Sequence, residues 1–377
     1  MDGIQQKELE KSYIKLYNKN NVIKSYIKLY KEKNMNNPFT LTFGREPINR
    51  IDRLEQKEYV INSFESNPPS NQVCMVTGVR GSGKTVFLTE IGKYFASKEG
   101  WITIDLTPER DLLQSFAAEL YNYTGMTEIF KRAKLNLSFL GIGVEIDGTD
   151  PIKDINIAIR RMLQHAKEHG KKVLVTIDEA ICNKTMKEFA SVFQIYMRQD
   201  LPVFLLMSGL YEKIYELQNE DTLTFLYRAP KIELQPLNIS MIAARYQTIF
   251  NLTDEDARNM AKETRGYSFA FQVLGYLTWN AKAPWSTVLP EYRQYLEEFV
   301  YNKIWSEISA KDREVLFGVL HAENNKVSAI RETLQMSSSV FSIYRNRLIK
   351  KGILNGDTYG YLEFALPQFE EFLRDMD

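Results

Sequence analysis

The sequence predicts an α/β fold: a parallel sheet covered by helices on both faces, followed by a mainly helical second half. Three observations carry this. Short apolar runs rich in β-branched residues alternate with helical stretches between residues 73 and 234, the pattern of a parallel sheet whose strands are buried on both faces. A glycine-rich segment, 78–85, separates the first apolar run from a helical stretch. A later run, 172–178, ends in the consecutive carboxylates Asp178 and Glu179.

Taken in order, 73–77 reads as a strand and 86–97 as the helix that follows the glycine-rich segment. Residues 101–106 predict the second strand and 112–123 a helix. The alternation over 135–146, around Gly141 and Gly143, predicts a short inserted hairpin. A helix over 152–169 leads into the strand 172–178, and a helix over 187–198 precedes the strand 203–208. A short fifth strand, 231–234, is bounded by Pro230 and Pro236. Residues 238–279 are helical, with a helix start near Thr253 followed by acidic residues at 254–256. Pro284 and Pro290 mark a break, and 291–308 reads as a connecting helix. The expected division is therefore a basic, repeated segment 1–34, a nucleotide-binding unit 35–237, a helical unit 238–290, the connecting helix, and a small domain 309–377.

The bulk composition agrees with a folded protein of two or three domains. The chain has 377 residues, 44% apolar and 25% charged. Its 48 basic residues match 48 acidic ones, so any attraction to nucleic acid or membrane must come from a local patch. The two cysteines, Cys74 and Cys182, sit in or beside apolar runs and suggest neither a disulfide framework nor a metal cluster. No stretch of about 20 apolar residues and no apolar signal core is seen, so a cytoplasmic protein without membrane contact is expected. The segment KSYIKLY occurs at 11–17 and again at 24–30. A basic interaction arm, a poorly ordered tail and a mis-started leader before Met35 are all compatible with it.

The segment Gly78, Val79, Arg80, Gly81, Ser82, Gly83, Lys84, Thr85 matches the phosphate-binding loop G-x-x-x-x-G-K-[ST] in its required strand–loop–helix context. Glycines let backbone N–H groups turn inward onto phosphate oxygens, and the helix N-terminus beginning toward Val86 favours anions. Lys84 is expected to reach the β- and γ-phosphates and Thr85 to place its hydroxyl on Mg²⁺. Asp178 is the second candidate for holding the metal. Glu179 is the candidate general base for an attacking water, at the strand edge where open parallel sheets bind ligands. Ser208 ends the next strand, where it could sense the γ-phosphate or orient water, or simply turn the chain. Arg228 could neutralise charge on the transferred phosphoryl group in its own or a neighbouring subunit, or make a bland ion pair.

Together these elements resemble the AAA+ ATPases, in the archaeal and bacterial branch related to STAND proteins and, more distantly, to origin-recognition initiators. Phe43, Gly44 and Arg45 resemble the family's leading motif beside the adenine pocket. Gly78, Gly83, Lys84 and Thr85 match Walker A, and Asp178 and Glu179 match Walker B. Ser208 falls at the sensor-one position and Arg228 where the family often places an arginine finger. The segment 264–269 resembles a lid motif that usually carries proline near Phe269, with Arg265 as a weakly matching second sensor. The resemblance implies ATP and Mg²⁺ as ligands and a P-loop NTPase sheet of AAA+ type with a helical lid.

Residues 309–377 predict helices over 309–321, 327–334 and 337–351, then a small hairpin, the order of a winged helix. Ser309 and Asp312 suggest a capping box. On the third helix Ser339, Ser342, Arg345, Asn346, Lys350 and Lys351 supply polar groups suited to DNA. Duplex DNA, a protein partner or a homo-oligomer, and an autoinhibitory cover all stay open as roles for this domain. The expected function is ATP binding and Mg²⁺-dependent hydrolysis driving a conformational switch coupled to DNA, or alternatively a nucleotide-regulated scaffold that docks protein.

Overall fold

A computed structural model describes residues 36–42, 46–143, 145 and 148–377. The repeated segments 11–17 and 24–30 and the motif residues Phe43, Gly44 and Arg45 lie outside the described residues. The first half contains α1 (Leu54–Glu65), β1 (Val73–Thr77), α2 (Lys84–Ala96), β2 (Trp101–Leu106), α3 (Leu112–Asn122), α4 (Met126–Arg132), α5 (Ile155–Glu168) and β3 (Lys172–Ile177). It continues with α6 (Lys184–Arg198), β4 (Val203–Gly209), α7 (Tyr211–Gln218), α8 (Thr224–Arg228) and β5 (Lys231–Glu233).

The five strands form one sheet in the order β2-β3-β4-β1-β5, every pair parallel. Strand side chains alternate between faces, and this sheet separates two cores accordingly. Val73, Met75, Val175, Ile177, Leu205 and Met207 pack with α3, α5 and α6. Cys74, Val76, Leu174, Phe204 and Leu206 pack with α1 and α2 on the other face. β1 and β4 are buried along their whole length, so neither face could carry a polar residue cheaply, and the continuous apolar runs follow.

The hairpin expected over 135–146 is absent among the described residues. Instead a single 3₁₀ turn, Ser138–Leu140, ends at Gly141 with φ +70°. Leu135, Leu137 and Ile142 face the core, which produced the strand-like alternation. The Asn136 side chain accepts from Ser138 N (3.2 Å) and donates to Thr149 O (2.8 Å). The loop thus supplies by itself the pairing that a partner strand would have given.

The second half contains α9 (Ile239–Phe250), α10 (Asp254–Lys262) and α11 (Ser268–Ala281). Asn238 and Thr253 cap the first two by accepting from Met241 N and Asp256 N. A helical rod follows, α12 (Leu289–Leu296) and α13 (Asn302–Glu307), joined by a π turn at Glu297–Tyr301. The last unit holds α14 (Ala310–His321), α15 (Val327–Leu334), α16 (Ser338–Lys350), the antiparallel pair β6 (Leu354–Asn355) and β7 (Glu363–Phe364), and α17 (Phe369–Met376). This is a winged helix. Ser309 and Asp312 form a complete capping box at its first helix.

One apolar core runs through both the lid and the winged helix, from Phe39, Tyr246 and Phe271 to Leu316, Phe341 and Phe372. Arg265 reinforces the join by donating to the carbonyls of Phe364 (2.7 Å) and Leu366 (3.2 Å) and pairing with Glu370 (2.9 Å). Arg265 therefore holds the winged helix on the lid, and its side chain is not among those lining the cavity beside 78–85 described below. No helix among the described residues is long and apolar enough to cross a membrane.

Candidate nucleotide site

The strand order brings the carboxyl ends of β1, β3 and β4 side by side, and the loop after β1 passes beneath α2. Helix α2 opens at Lys84 behind Gly83, whose φ is +93°, and no side chain caps it. Its first-turn N–H groups are thus left for an anion. Gly81 also has positive φ (+78°), and a Cβ there would collide with the Tyr267 hydroxyl of the lid. Only glycine lets loop and lid approach this closely.

Lys84 Nζ donates to the carbonyls of Gly78 (2.9 Å) and Val79 (3.0 Å). Burial pushes its ammonium down to about 8, with Asp178 partly opposing that shift and Arg80, Glu179 and Glu307 also felt. Thr85 Oγ1 donates to Asp178 Oδ2 at 2.5 Å. Ser208 Oγ and the Glu179 backbone N–H both donate to Asp178 Oδ1, the latter at 3.0 Å. Asp178 is thereby oriented by three donors, one of them the loop residue Thr85. Glu179 follows with φ +53°, and its exposed side chain lines the same cavity. A non-glycine residue in the left-handed region at a strand end is a strained position of the kind that gathers at functional sites.

The cavity holds about 460 Å³, within the usual range for small-molecule sites. Arg80 to Val86, Asp178 and Glu179 line one end; Thr40, Leu41, Pro47, Ile51, Phe269, Phe271 and Gln272 line the other. Sequence reasoning missed several residues here. Gln272 Oε1 accepts from Thr40 N (3.1 Å) and its Nε2 donates to Asn49 O (2.6 Å), so one lid side chain ties the described chain on both sides of 43–45. Arg53 donates to Gln235 O (2.5 Å), Ser82 O (3.1 Å) and Ser268 Oγ (3.4 Å), joining the loop to the lid. Burial lowers its guanidinium to about 10 against the pull of Glu90. Glu90, 7% exposed, pairs with Arg50 and with Lys57 (3.1 Å) inside the cavity wall. These residues carry no local motif, because their roles depend on long-range packing.

The donor set suits Mg²⁺. Thr85 and Asp178 offer hard oxygen ligands within contact of each other. Among the described residues no group of three or more histidine, cysteine or acidic side chains forms a cage. Mg²⁺ typically takes one or two protein oxygens and shares the rest with water and phosphate.

Other candidates lie elsewhere. Ser208 is fully buried, does not line the cavity, and donates to Asp178. Arg228 is exposed at the end of α8, outside the cavity. On α16, Ser339 and Asn346 are exposed, Ser342 and Arg345 are partly buried, and Arg345 donates to Asn346 Oδ1 at 3.4 Å. Of the two lysines expected on phosphates, Lys351 is held by protein while Lys350 is exposed. Lys351, 9% exposed, sits between Glu212 of α7 and Asp312 (3.4 Å). Lys350 lies 5.4 Å over the Tyr211 ring. Meanwhile Val340 and Ile343 expose apolar surface on the same helix. The winged helix is thus docked on the sheet domain by the end of its third helix.

No curated protein sequence matches the chain. A family model described as a domain of unknown function, DUF8462, matches residues 298–373, the rod end and winged helix. Among solved structures, the Walker-type ATPase of Pyrococcus abyssi is similar over 89% of this chain and 99% of its own, at 15% identity and a TM-score of 0.61. The ORC2 protein of Aeropyrum pernix, solved as ADPNP and ADP complexes, is similar over 89% and 96%, at 12% identity and 0.54. The fold of this chain, a P-loop sheet of AAA+ type with a C-terminal winged helix, is similar to those of the Pyrococcus ATPase and the Aeropyrum ORC2 protein.

Proposed function

We propose that the chain binds ATP with Mg²⁺ and hydrolyses it, and that the bound nucleotide sets the position of the lid and winged helix against the sheet domain. The observation that carries this reading is the convergence of Lys84, Thr85 and Asp178 on one cavity beneath the N-terminus of α2. The backbone from Gly81 to Thr85 would cradle the phosphates, and Lys84 would exchange its carbonyl partners for the β- and γ-oxygens. Thr85 and Asp178 would hold Mg²⁺, which when bound neutralises phosphate charge. Ser208 keeps Asp178 oriented. Glu179 would take the proton of the attacking water as general base.

The shared core of lid and winged helix favours their motion as one body. The winged helix meets the sheet domain through Lys351 on Glu212, Lys350 over Tyr211 and Gly352 against Val79. The pairing of Lys351 with Glu212 and Asp312 favours a docked cover over a DNA reader in this arrangement. Phosphate release and equilibrium nucleotide binding, measured on the same proteins, test the hydrolytic reading. Glu179→Gln should retain binding while turnover falls by about 100-fold or more; unchanged turnover would remove Glu179 from its role.

A further inference from the structure

The residue that closes the phosphate end of the cavity comes from outside the sheet domain. Glu307 is the last residue of α13, two residues before Ser309, the N-cap of the first winged-helix helix. Its carboxylate pairs with the Arg80 guanidinium of the phosphate loop at 2.9 Å, and both side chains line the nucleotide cavity. Lys303, one turn earlier, also faces it at 3.4 Å. The pair is about one-third exposed on each side, 31% for Arg80 and 33% for Glu307, so it is open to a competing anion. The loop around it is held from the lid, where the Tyr267 hydroxyl donates to Arg80 O and Phe269 N donates to Gly81 O at 3.1 Å.

The position of the pair fixes which part of a nucleotide it meets. Lys84 is the group that reaches the β- and γ-phosphates of a P-loop ligand. Lys84 Nζ donates to Val79 O, the residue before Arg80, at 3.0 Å, and Lys84, Arg80 and Glu307 line the same cavity. A carboxylate at that end faces the terminal phosphate more than the sugar or base. Two anions cannot share Arg80 without mutual repulsion in a partly desolvated site.

We propose that Glu307 is a specificity-determining residue of the nucleotide site: it discriminates against a third phosphate while the winged helix is docked. A diphosphate fits beside the Arg80–Glu307 pair. A triphosphate competes for Arg80 and repels Glu307, which displaces α13 and with it the winged helix. This inference rests on the nucleotide reading above and adds to it the residue through which the γ-phosphate acts on the C-terminal unit.

The test uses the full chain and two probes, Mg-ADP and a non-hydrolysable Mg-ATP analogue. Affinities are measured by calorimetry, and domain spread is measured by small-angle scattering. Glu307→Gln should strengthen binding of the triphosphate analogue about tenfold while leaving ADP within about twofold. The charge-retaining Glu307→Asp should behave as wild type, which separates charge from packing. Wild type should expand with the triphosphate analogue and not with ADP, and Glu307→Gln should be expanded without nucleotide. If both nucleotides bind and Glu307→Gln leaves their affinity ratio and the scattering unchanged, the proposal is overturned while nucleotide binding stands. If wild type binds neither, the nucleotide reading itself falls and the proposal with it.

Discussion

Lys351 separates two uses of the winged helix, and replacing it by methionine tests which one operates. Its ammonium lies between Glu212 on the sheet domain and Asp312 on the winged helix, with 9% of the side chain exposed. Removing one partner of a buried ion pair costs about 3–5 kcal/mol when the other is orphaned. Asp312 is not orphaned here, because Arg347 donates to it at 2.9 and 2.6 Å. Glu212 is 44% exposed and can return to water. The loss therefore falls to about 1–2 kcal/mol, or roughly a 5- to 30-fold shift from docked to undocked. Methionine keeps the stem that packs beside α16, so the fold should survive. Amide hydrogen exchange should accelerate over α7 and the end of α16, with the sheet core unchanged. If Lys351 instead served as a phosphate contact, the variant would weaken duplex binding at all sequences and reduce its salt slope by about one. That result, with exchange unaltered, would refute the docked reading.

Asp312 gives a pH dependence of known sign. Burial alone would raise its carboxyl, but hydrogen bonds from Arg347 and Ser309 with Lys351 nearby hold it below its ordinary 3.8. Its stabilising contribution is present above that value and is lost as pH falls through the lower folded value, so acid unfolding followed by tryptophan fluorescence should weaken in slope below pH about 4 in Asp312→Asn. Ser208→Ala removes a donor to Asp178 without touching the cavity; turnover titrated against Mg²⁺ should need about tenfold more metal, a shift that a purely structural serine would not cause. Arg265→Ala leaves two carbonyls unpaired at the lid–winged-helix join and should cost about 2 kcal/mol in urea denaturation, read on the winged-helix signal.

The sheet was legible because its chemistry is local. The central strands β1, β3 and β4 are mostly apolar runs buried on both faces, and the glycine spacing of 78–85 can serve few other purposes. The pairing of Thr85 with Asp178 followed from two motifs whose strands the fold sets close together. The region 135–146 misled because buried residues alternate in a loop as readily as in a strand when one asparagine supplies the turn hydrogen bonds. The contact made at Lys351 was unreadable for a different reason. A lysine on an amphipathic helix looks the same whether it meets a phosphate or a glutamate 139 positions away, as Lys351 meets Glu212. Glu307, Gln272 and Arg53 were invisible for the same cause: each acts across the join between units, and no spacing in the chain records that join.

The central claim is that 78–85 forms a phosphate site completed by Lys84. Titration calorimetry of Mg-ATP into the full chain, beside Lys84→Ala of equal thermal stability, tests it most directly. One binding site per chain, weakened at least about 100-fold by the substitution, is the predicted result. Equal affinity in both proteins, or none in the wild-type chain, would contradict it.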